Sequence, residues 1–263
     1  MRDETEQAIV RAIDVMQNKL GEPLSLDILA EAAVFSKFHF SRLFLRATGV
    51  PPGRFLSALR LEKAKELLLS TEWNVVDIGT AVGYNSVGTF STRFSRSVGL
   101  SPTNYRRFRG FAPCLGGAEP PVRSARRRRV RGTVSLPPGE KRRAVFVGLF
   151  PGPIPEGRPL AGVLVAAPGP YELSVRATPE SHLLAFSLPT DAAAGLHALA
   201  QKDARLMGGR RLGALEPGPA LCLPDLPLSF RSRLDVPVLM ATPRPLTLVR
   251  PGTNAGLPEP MPV

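Results

Sequence analysis

Few side chains in this 263-residue sequence are placed to make or break a bond. Cys114 lies in "FAPCLGG" and Cys222 in "PALCLPD", and neither has a histidine close in sequence. A reactive thiolate needs such a base or cation beside it. His39, His182 and His197 fall into no metal-ligand spacing with cysteines or carboxylates. His39 is expected to make a local contact, and a shared pocket for His182 and His197 is not expected. No phosphate-cradling glycine motif or nucleophile elbow appears. The sequence therefore reads as a non-enzyme with no cofactor and no metal. What it offers instead is recognition chemistry, namely guanidinium and hydroxyl groups set at helical spacing among phenylalanines.

Those groups recur. "HFSRLFLRATGVPP" (39–52) is loosely repeated as "TFSTRFSRSVGLSP" (89–102), fifty positions on and without a gap. Upstream, "DILAEAAVFS" (27–36) lies over "DIGTAVGYNS" (77–86). Repetition at fixed spacing marks a structural unit used twice. Within 36–47, Phe40, Leu43, Phe44 and Ala47 form an inward stripe, and Phe38, Ser41, Arg42 and Arg46 face outward. Within 86–97, Phe90, Phe94 and the following Val98 point inward, Gly88, Thr92 and Arg96 outward, with Ser91 at the edge. A short helix, a tight turn and a second helix with a polar, basic outer face describe a helix-turn-helix. Such a second helix fits the major groove of double-stranded DNA.

The elements that must hold these faces are legible from punctuation. Only four of the 28 prolines fall in residues 1–108, so this part can be mostly helical and the remainder cannot. Seven helices are expected near 3–20, 25–33, 36–47, 52–70, 75–82, 86–97 and 102–107. Ser25, Ser36 and Ser101-Pro102 supply start signals, and Gly21, Gly49 and Gly99 supply stops. Phe40, Phe44, Phe90, Phe94, Ile28, Ile78 and Trp73 are expected in the core. Beyond residue 110, short apolar runs at 144–150, 160–167, 171–177 and 182–188 read as strands, with weaker ones near 212–223 and 236–249. One further helix is expected at 191–207. The fold class is α+β multidomain: an all-α domain (1–108), a basic linker (109–143) and a small β-rich, sandwich-like domain (144–263).

The sequence from 5 to 108 resembles the AraC/XylS-type transcription regulators. The resemblance is carried by "VVDIGTAVGYNSVGTFSTRFSRSVGLSPTNYRR", which follows that family's signature closely. It implies two helix-turn-helix subdomains joined by a long helix, "PGRFLSALRLEKAKELLLS", with recognition helices at 36–47 and 86–97. These would read major-groove segments about 34 Å apart on one face of the duplex. Carried over residue by residue, the base-facing positions are Phe38, Ser41 and Arg42, then Val87, Gly88, Ser91 and Thr92. Ser36, Lys37, Arg46, Ser86, Thr89, Arg93 and Arg96 become phosphate contacts. Many family members have arginine at the position of Thr92, so the second helix is expected to read bases less sharply.

Net charge locates a further expectation. Of the +12 total, residues 109–143 contribute ten Lys/Arg against two Asp/Glu, concentrated in "RSARRRRVR" and "KRR". Arg126, Arg127, Arg128 and Arg129 are expected to form an exposed arm on neighbouring phosphates, or else a solvated linker. A fragment ending near Phe108 is expected to fold alone. Part of the later sequence faintly resembles a transthyretin-type or carboxypeptidase-regulatory β-sandwich, with Val145, Val147 and Leu149 on one inner face. That domain could take a small-molecule effector, contact another copy or only stabilise the first domain. RNA polymerase is an expected partner. The alternatives are an architectural protein that binds DNA without sequence preference and, as the competing enzyme class, a DNA alkyl-transfer fusion. The acidic start "MRDETEQAIV" is no secretory signal, and no apolar run spans a bilayer, so a cytoplasmic location is expected.

Overall fold

The computed structural model describes residues 2–112, 127–140, 143–166, 168–188 and 206–243. Its first part holds α1 (Arg2–Asn18), α2 (Leu26–Ala32), α3 (Lys37–Thr48), α4 (Pro52–Ser70), α5 (Val75–Ala81), α6 (Val87–Val98) and α7 (Pro102–Arg107). Side-chain caps start four of them. Ser25 accepts from the Ile28 amide at 3.3 Å, Asn74 from Asp77 at 2.8 Å, Ser86 from Thr89 at 3.4 Å and Ser101 from Asn104 at 3.3 Å. Each satisfies an amide that has no partner inside its helix. Gly49 and Gly99 close α3 and α6 in the left-handed region, at φ 76° and 85°.

The two copies are not in gapless register. The caps Ser25 and Asn74 stand 49 positions apart, whereas Ser36 and Ser86, which open the recognition helices, stand 50 apart. The second turn is one residue longer. This corrects two core assignments. Ile78, fully buried, corresponds to the buried Leu29, so Ile28 turns outward and is 41% exposed. Trp73 is also half exposed; the structure uses its carbonyl, which accepts from Arg106 Nη2 at 2.6 Å. The shifted register also aligns Val34 with Gly83, the turn residues with positive φ (59° and 84°).

Aromatic rings tie each recognition helix to its support. Phe40, Phe44 and Phe55 form an edge-on series with centroids 5.4 Å apart, and Phe90, Phe94 and Tyr105 one at 5.6 Å. Between them lies α4, buried around most of its circumference even though it carries Glu62 and Lys65. Arg60 projects from it to the carbonyls of Leu20 (2.9 Å), Glu22 (2.8 Å) and Gly83 (3.2 Å). One guanidinium therefore joins the loop after α1 to the turn of the second helix-turn-helix. Arg106 of α7 closes the far end of α4 through the carbonyls of Leu68 and Thr71.

The β-rich region is separate in sequence from the helices. Its strands are β1 (Phe111–Ala112), β2 (Arg127–Ser135), β3 (Val145–Phe150), β4 (Ala161–Val165), β5 (Gly169–Arg176), β6 (His182–Ser187), β7 (Leu206–Arg211), β8 (Leu221–Cys222), β9 (Leu226–Pro227), β10 (Ser229–Phe230) and β11 (Thr242–Pro243). They form an antiparallel sheet ordered β10-β7-β6-β3-β4, a sheet ordered β5-β2-β8 with β9 also on β2, and a parallel pair β1-β11. Of the expected elements, 212–223 yields only β8, and 236–249 only β11 among its described residues. The expected helix at 191–207 lies outside the described residues except for Leu206 and Met207, which begin β7.

The expected linker 109–143 is corrected where it is described. Residues 127–135 form β2, paired along its length with β5. Val130 and Val134 bury one face and the odd-numbered arginines occupy the other. The basic run had hidden a period of two.

Layer follows layer from there. Val145, Val147 and Leu149 of β3 pack against Val130, Val134, Leu173 and Val175 of the second sheet. The opposite face of β3 carries Phe146 and Phe150, which pack with Val238 and Met240 of the segment 231–243. That segment forms a strap whose other residues, Val236, Leu239 and Ala241, join Ile154 in the helical core. The helical core therefore does not end at Phe108. Arg231 reaches Glu62 of α4 through two bonds of 2.7 and 3.3 Å, with both side chains only 10% exposed. Lys65 donates to the carbonyls of Val238 (2.7 Å) and Met240 (3.4 Å).

Two outcomes follow from this packing. Val34→Gly should stabilise the chain, because a β-branched residue at φ 59° is strained by about 1–2 kcal/mol. The greater freedom of glycine when unfolded offsets part of that gain, leaving a rise in melting temperature of roughly 1–4 °C. No rise in a thermal melt would remove the strain argument. A fragment of residues 1–112 should melt below the full chain, since it exposes the surface that Ile154, Val236 and Leu239 cover. Burial of each such side chain contributes about 1.5–3 kcal/mol. Equal helix melting curves for fragment and full chain would show that the shared core adds nothing.

Candidate nucleic-acid interface

α3 and α6 present matching solvent faces. Phe38 is 83% exposed and Val87 43% exposed, and Arg42, Gly88 and Thr92 are also exposed. Ser41 and Ser91 are half-buried at the edge of each face. All seven positions expected to face bases thus lie on the outer surfaces of two helices of equal length. The inward residues Phe40, Phe44, Phe90 and Phe94 are fully buried and hold these faces outward.

The expected phosphate contacts flank the same faces. Lys37, Arg46, Ser86, Thr89, Arg93 and Arg96 line them, together with Ser36 at the start of α3. Ser36 makes no side-chain cap bond, whereas the hydroxyl of Ser86 is already engaged with the Thr89 amide. Among the described residues, Arg42, Arg46 and Arg96 make no hydrogen bond or ion pair, so their guanidinium groups stand ready for an anion or a base edge. Lys37 is less available, with its ammonium 2.7 Å from Asp27. Arg93 leans on the hydroxyl of Ser57 at 3.4 Å. Ser41 donates to the Lys37 carbonyl of its own helix at 3.0 Å, which leaves its oxygen as an acceptor. His39 stacks edge-on to Phe35 at 5.1 Å, the local contact expected of it.

The described part of the arginine run is built into a sheet. Arg127, Arg129 and Arg131 lie on the outer face of β2, opposite Arg176, Ser174 and Glu172 of β5. Glu172 holds Arg131 at 2.7 Å and lies 3.9 Å from Arg129. The other face of this sheet packs on β3, whose far side meets the strap and, through it, the helices. Residues 127–129 are therefore part of a paired strand and not of a free arm. Arg126 lies outside the described residues, as does the preceding stretch from 113.

Other chemistry is sparse. Among the described residues no group of His, Cys, Asp and Glu could hold a metal ion, and no helix is long and apolar enough to cross a membrane. Cys222 is exposed on β8, and Cys114 and His197 lie outside the described residues. Burial pushes the His182 imidazole below its usual range, partly opposed by Glu180 and reinforced by Arg211. An open groove of about 420 Å³ is lined by Thr133, Ser135, Glu140, Gly169 and Asp225. Hydroxyl donors from Ser135 and Thr133 hold the Asp225 carboxyl below its usual range.

Two helix pairs with outward, basic second helices define a helix-turn-helix protein. A family described as a helix-turn-helix domain matches residues 29–107. The HTH-type transcriptional activator AarP of Providencia stuartii is 32% identical over 91 residues, which are 35% of this chain and 67% of AarP. The transcriptional regulator Rob of Salmonella typhimurium is 33% identical over 108 residues, 41% of this chain and 37% of Rob. A crystal structure of an AraC-type transcriptional regulator from Chromobacterium violaceum is 31% identical, with a TM-score of 0.38, over 39% of this chain and 92% of that one. The chain belongs to the AraC/XylS-type transcription regulators. It spans little more than a third of the length of relatives such as Rob, and its β-rich part lies outside the 29–107 match.

The cations differ in placement: Arg46, Arg93 and Arg96 flank the outer faces of α3 and α6, and Arg127, Arg129 and Arg131 line β2. Replacing Arg46, Arg93 and Arg96 with Ala should flatten the slope of log DNA affinity against log salt by about 0.9 for each phosphate no longer neutralised, up to roughly three units. Replacing Arg127, Arg129 and Arg131 with Ser should leave the slope nearly unchanged. Salt titrations of the two triple variants decide this, and the reverse ranking would return the arginine strand to the DNA interface.

Proposed function

We propose that this chain is a sequence-specific DNA-binding transcription regulator in which α3 and α6 enter successive major-groove segments of one duplex. Arg42 carries the reading. It is an exposed guanidinium on the outer face of α3, with no partner among the described residues and with Phe38 beside it one turn earlier. An arginine fork in that setting pairs with the two acceptors of guanine, and an aromatic ring packs on a thymine methyl. Thr92 and Gly88 give α6 one hydroxyl and a bare backbone, so the second half-site depends more on position than on base contacts. Residues 1–108 supply the DNA contacts, and the β-rich part serves as an effector or interaction domain of sandwich-like packing. An effector would find the polar groove beside Asp225. Regulation of transcription places the chain in the compartment that holds the DNA and brings RNA polymerase within reach as a partner.

The architectural alternative relies on sequence-independent phosphate contacts, and the arginine run that favoured it is folded into a sheet. Selection from random DNA should recover a preferred site of roughly 15–20 base pairs. A flat profile would support the architectural reading instead. Within the preferred site, Arg42→Ala should cost on the order of 1–3 kcal/mol at one base and relax preference there. Thr92→Ala should cost less. Base-resolved profiles in which Thr92→Ala is the more damaging change would reverse the ranking of the two helices.

A further inference from the structure

The two recognition helices are alike in length and in their glycine C-caps but are anchored differently. The last carbonyls of an α-helix have no partner within it and must find one elsewhere. In α6 the Ser97 carbonyl accepts from the Gly157 amide at 2.6 Å, and the Val98 carbonyl accepts from the Ala241 amide at 2.8 Å. Both donors belong to the β-rich region. In α3, among the described residues, no backbone amide of that region reaches the equivalent carbonyls of Ala47 and Thr48. The same two β-region segments also hold α7 and α4, the latter shared by both recognition helices. Glu156 pairs with Arg54 at the start of α4, Thr242 donates to the Gly110 carbonyl at 3.0 Å, and Arg231 forms its buried fork with Glu62. Val98 and Tyr105, which support α6, share their core with Leu239 and Ala241.

We infer that the 154–157 loop and the 231–243 strap position the second recognition helix directly, so that base preference in its half-site depends on the β-rich region more than that of the first, which the same segments touch only through α4. Ala241 and Arg231 are positioning residues. They touch no DNA in this arrangement and act through α6 and α4. The inference rests on the reading of α6 as a DNA-facing helix. It gives the weaker reader an external clamp: with few base-specific side chains, α6 discriminates through where its backbone lies, and a shift of the helix removes that discrimination. Any ligand or partner that moves the strap would retune the α6 half-site more than the α3 half-site.

The test uses the full chain and two variants. Ala241→Pro deletes the amide that caps Val98. Arg231→Lys keeps the charge but loses the fork to Glu62. Base-resolved DNA binding should show discrimination in the α6 half-site falling about tenfold or to background for Ala241→Pro and several-fold for Arg231→Lys, with the α3 half-site within twofold of the parent. Hydrogen exchange without DNA should accelerate on the order of tenfold in the last turn of α6 and stay unchanged in α3. Equal loss in both half-sites by either folded variant, or an α6 half-site unchanged in both, overturns the inference. If Ala241→Pro does not fold, Arg231→Lys decides by the same criteria. A parent chain with no preferred site at all would instead defeat the proposed function, and the inference with it.

Discussion

Burying the linking helix on nearly every side is the constraint around which the rest of this molecule is arranged. α4 carries Glu62 and Lys65 into regions with little water and Arg60 to a half-buried position, and a buried charge without partners is costly. Each finds its partner on a different element. Arg60 takes carbonyls from the loop after α1 and from the turn of the second helix-turn-helix, Glu62 takes Arg231, and Lys65 takes two strap carbonyls and lies 5.7 Å from the Tyr105 ring. The charges that make α4 hard to bury thereby specify which elements must surround it. Removing one member of such a pair leaves the other uncompensated, which is why the arrangement favours a unique geometry more than it adds stability.

The two helix-turn-helix units show how a repeat diverges without losing its outer face. An extra residue in the second turn shifts the register of the first helix by one, and with it which isoleucine is buried. Glycine takes the positive-φ position in one copy, where a Cβ would meet the Leu20 carbonyl at 2.6 Å and the Arg60 guanidinium at 2.8 Å. Val34 occupies that position in the other copy, where the turn is open to solvent. The recognition helices come back into step because both begin at a serine and end at a left-handed glycine.

The arginine strand illustrates a competition between charge and packing. A run of cations is usually solvated, and solvation would have kept it out of a sheet. Here Val130 and Val134 alternate with it and bury well, and Glu172 on the neighbouring strand offsets part of the repulsion. Strand geometry puts successive side chains on opposite faces, so burying the valines obliges the intervening arginines to line the far surface.

How much was legible in advance follows the range of each interaction. The seven helices, the caps Ser25 and Ser101, the glycine stops Gly49 and Gly99, the buried phenylalanines and the outward face around Arg42 were determined by the sequence, because a helix is set by contacts within a few residues. So was the inner face of Val145, Val147 and Leu149, through its period of two. Ser36, by contrast, starts α3 without a side-chain cap bond, and α1 ends at Asn18, before Gly21. The one-residue shift between the copies, the burial of Leu29 in place of Ile28 and the role of the Trp73 carbonyl needed the tertiary structure. So did β2 and the strap, whose partners lie far away in sequence: Arg131 meets Glu172, Lys65 meets Val238, and Glu62 meets Arg231. Nothing local distinguishes Arg231 from any other surface arginine. Its burial is decided by a carboxylate 169 positions earlier, brought to it only after both parts have folded.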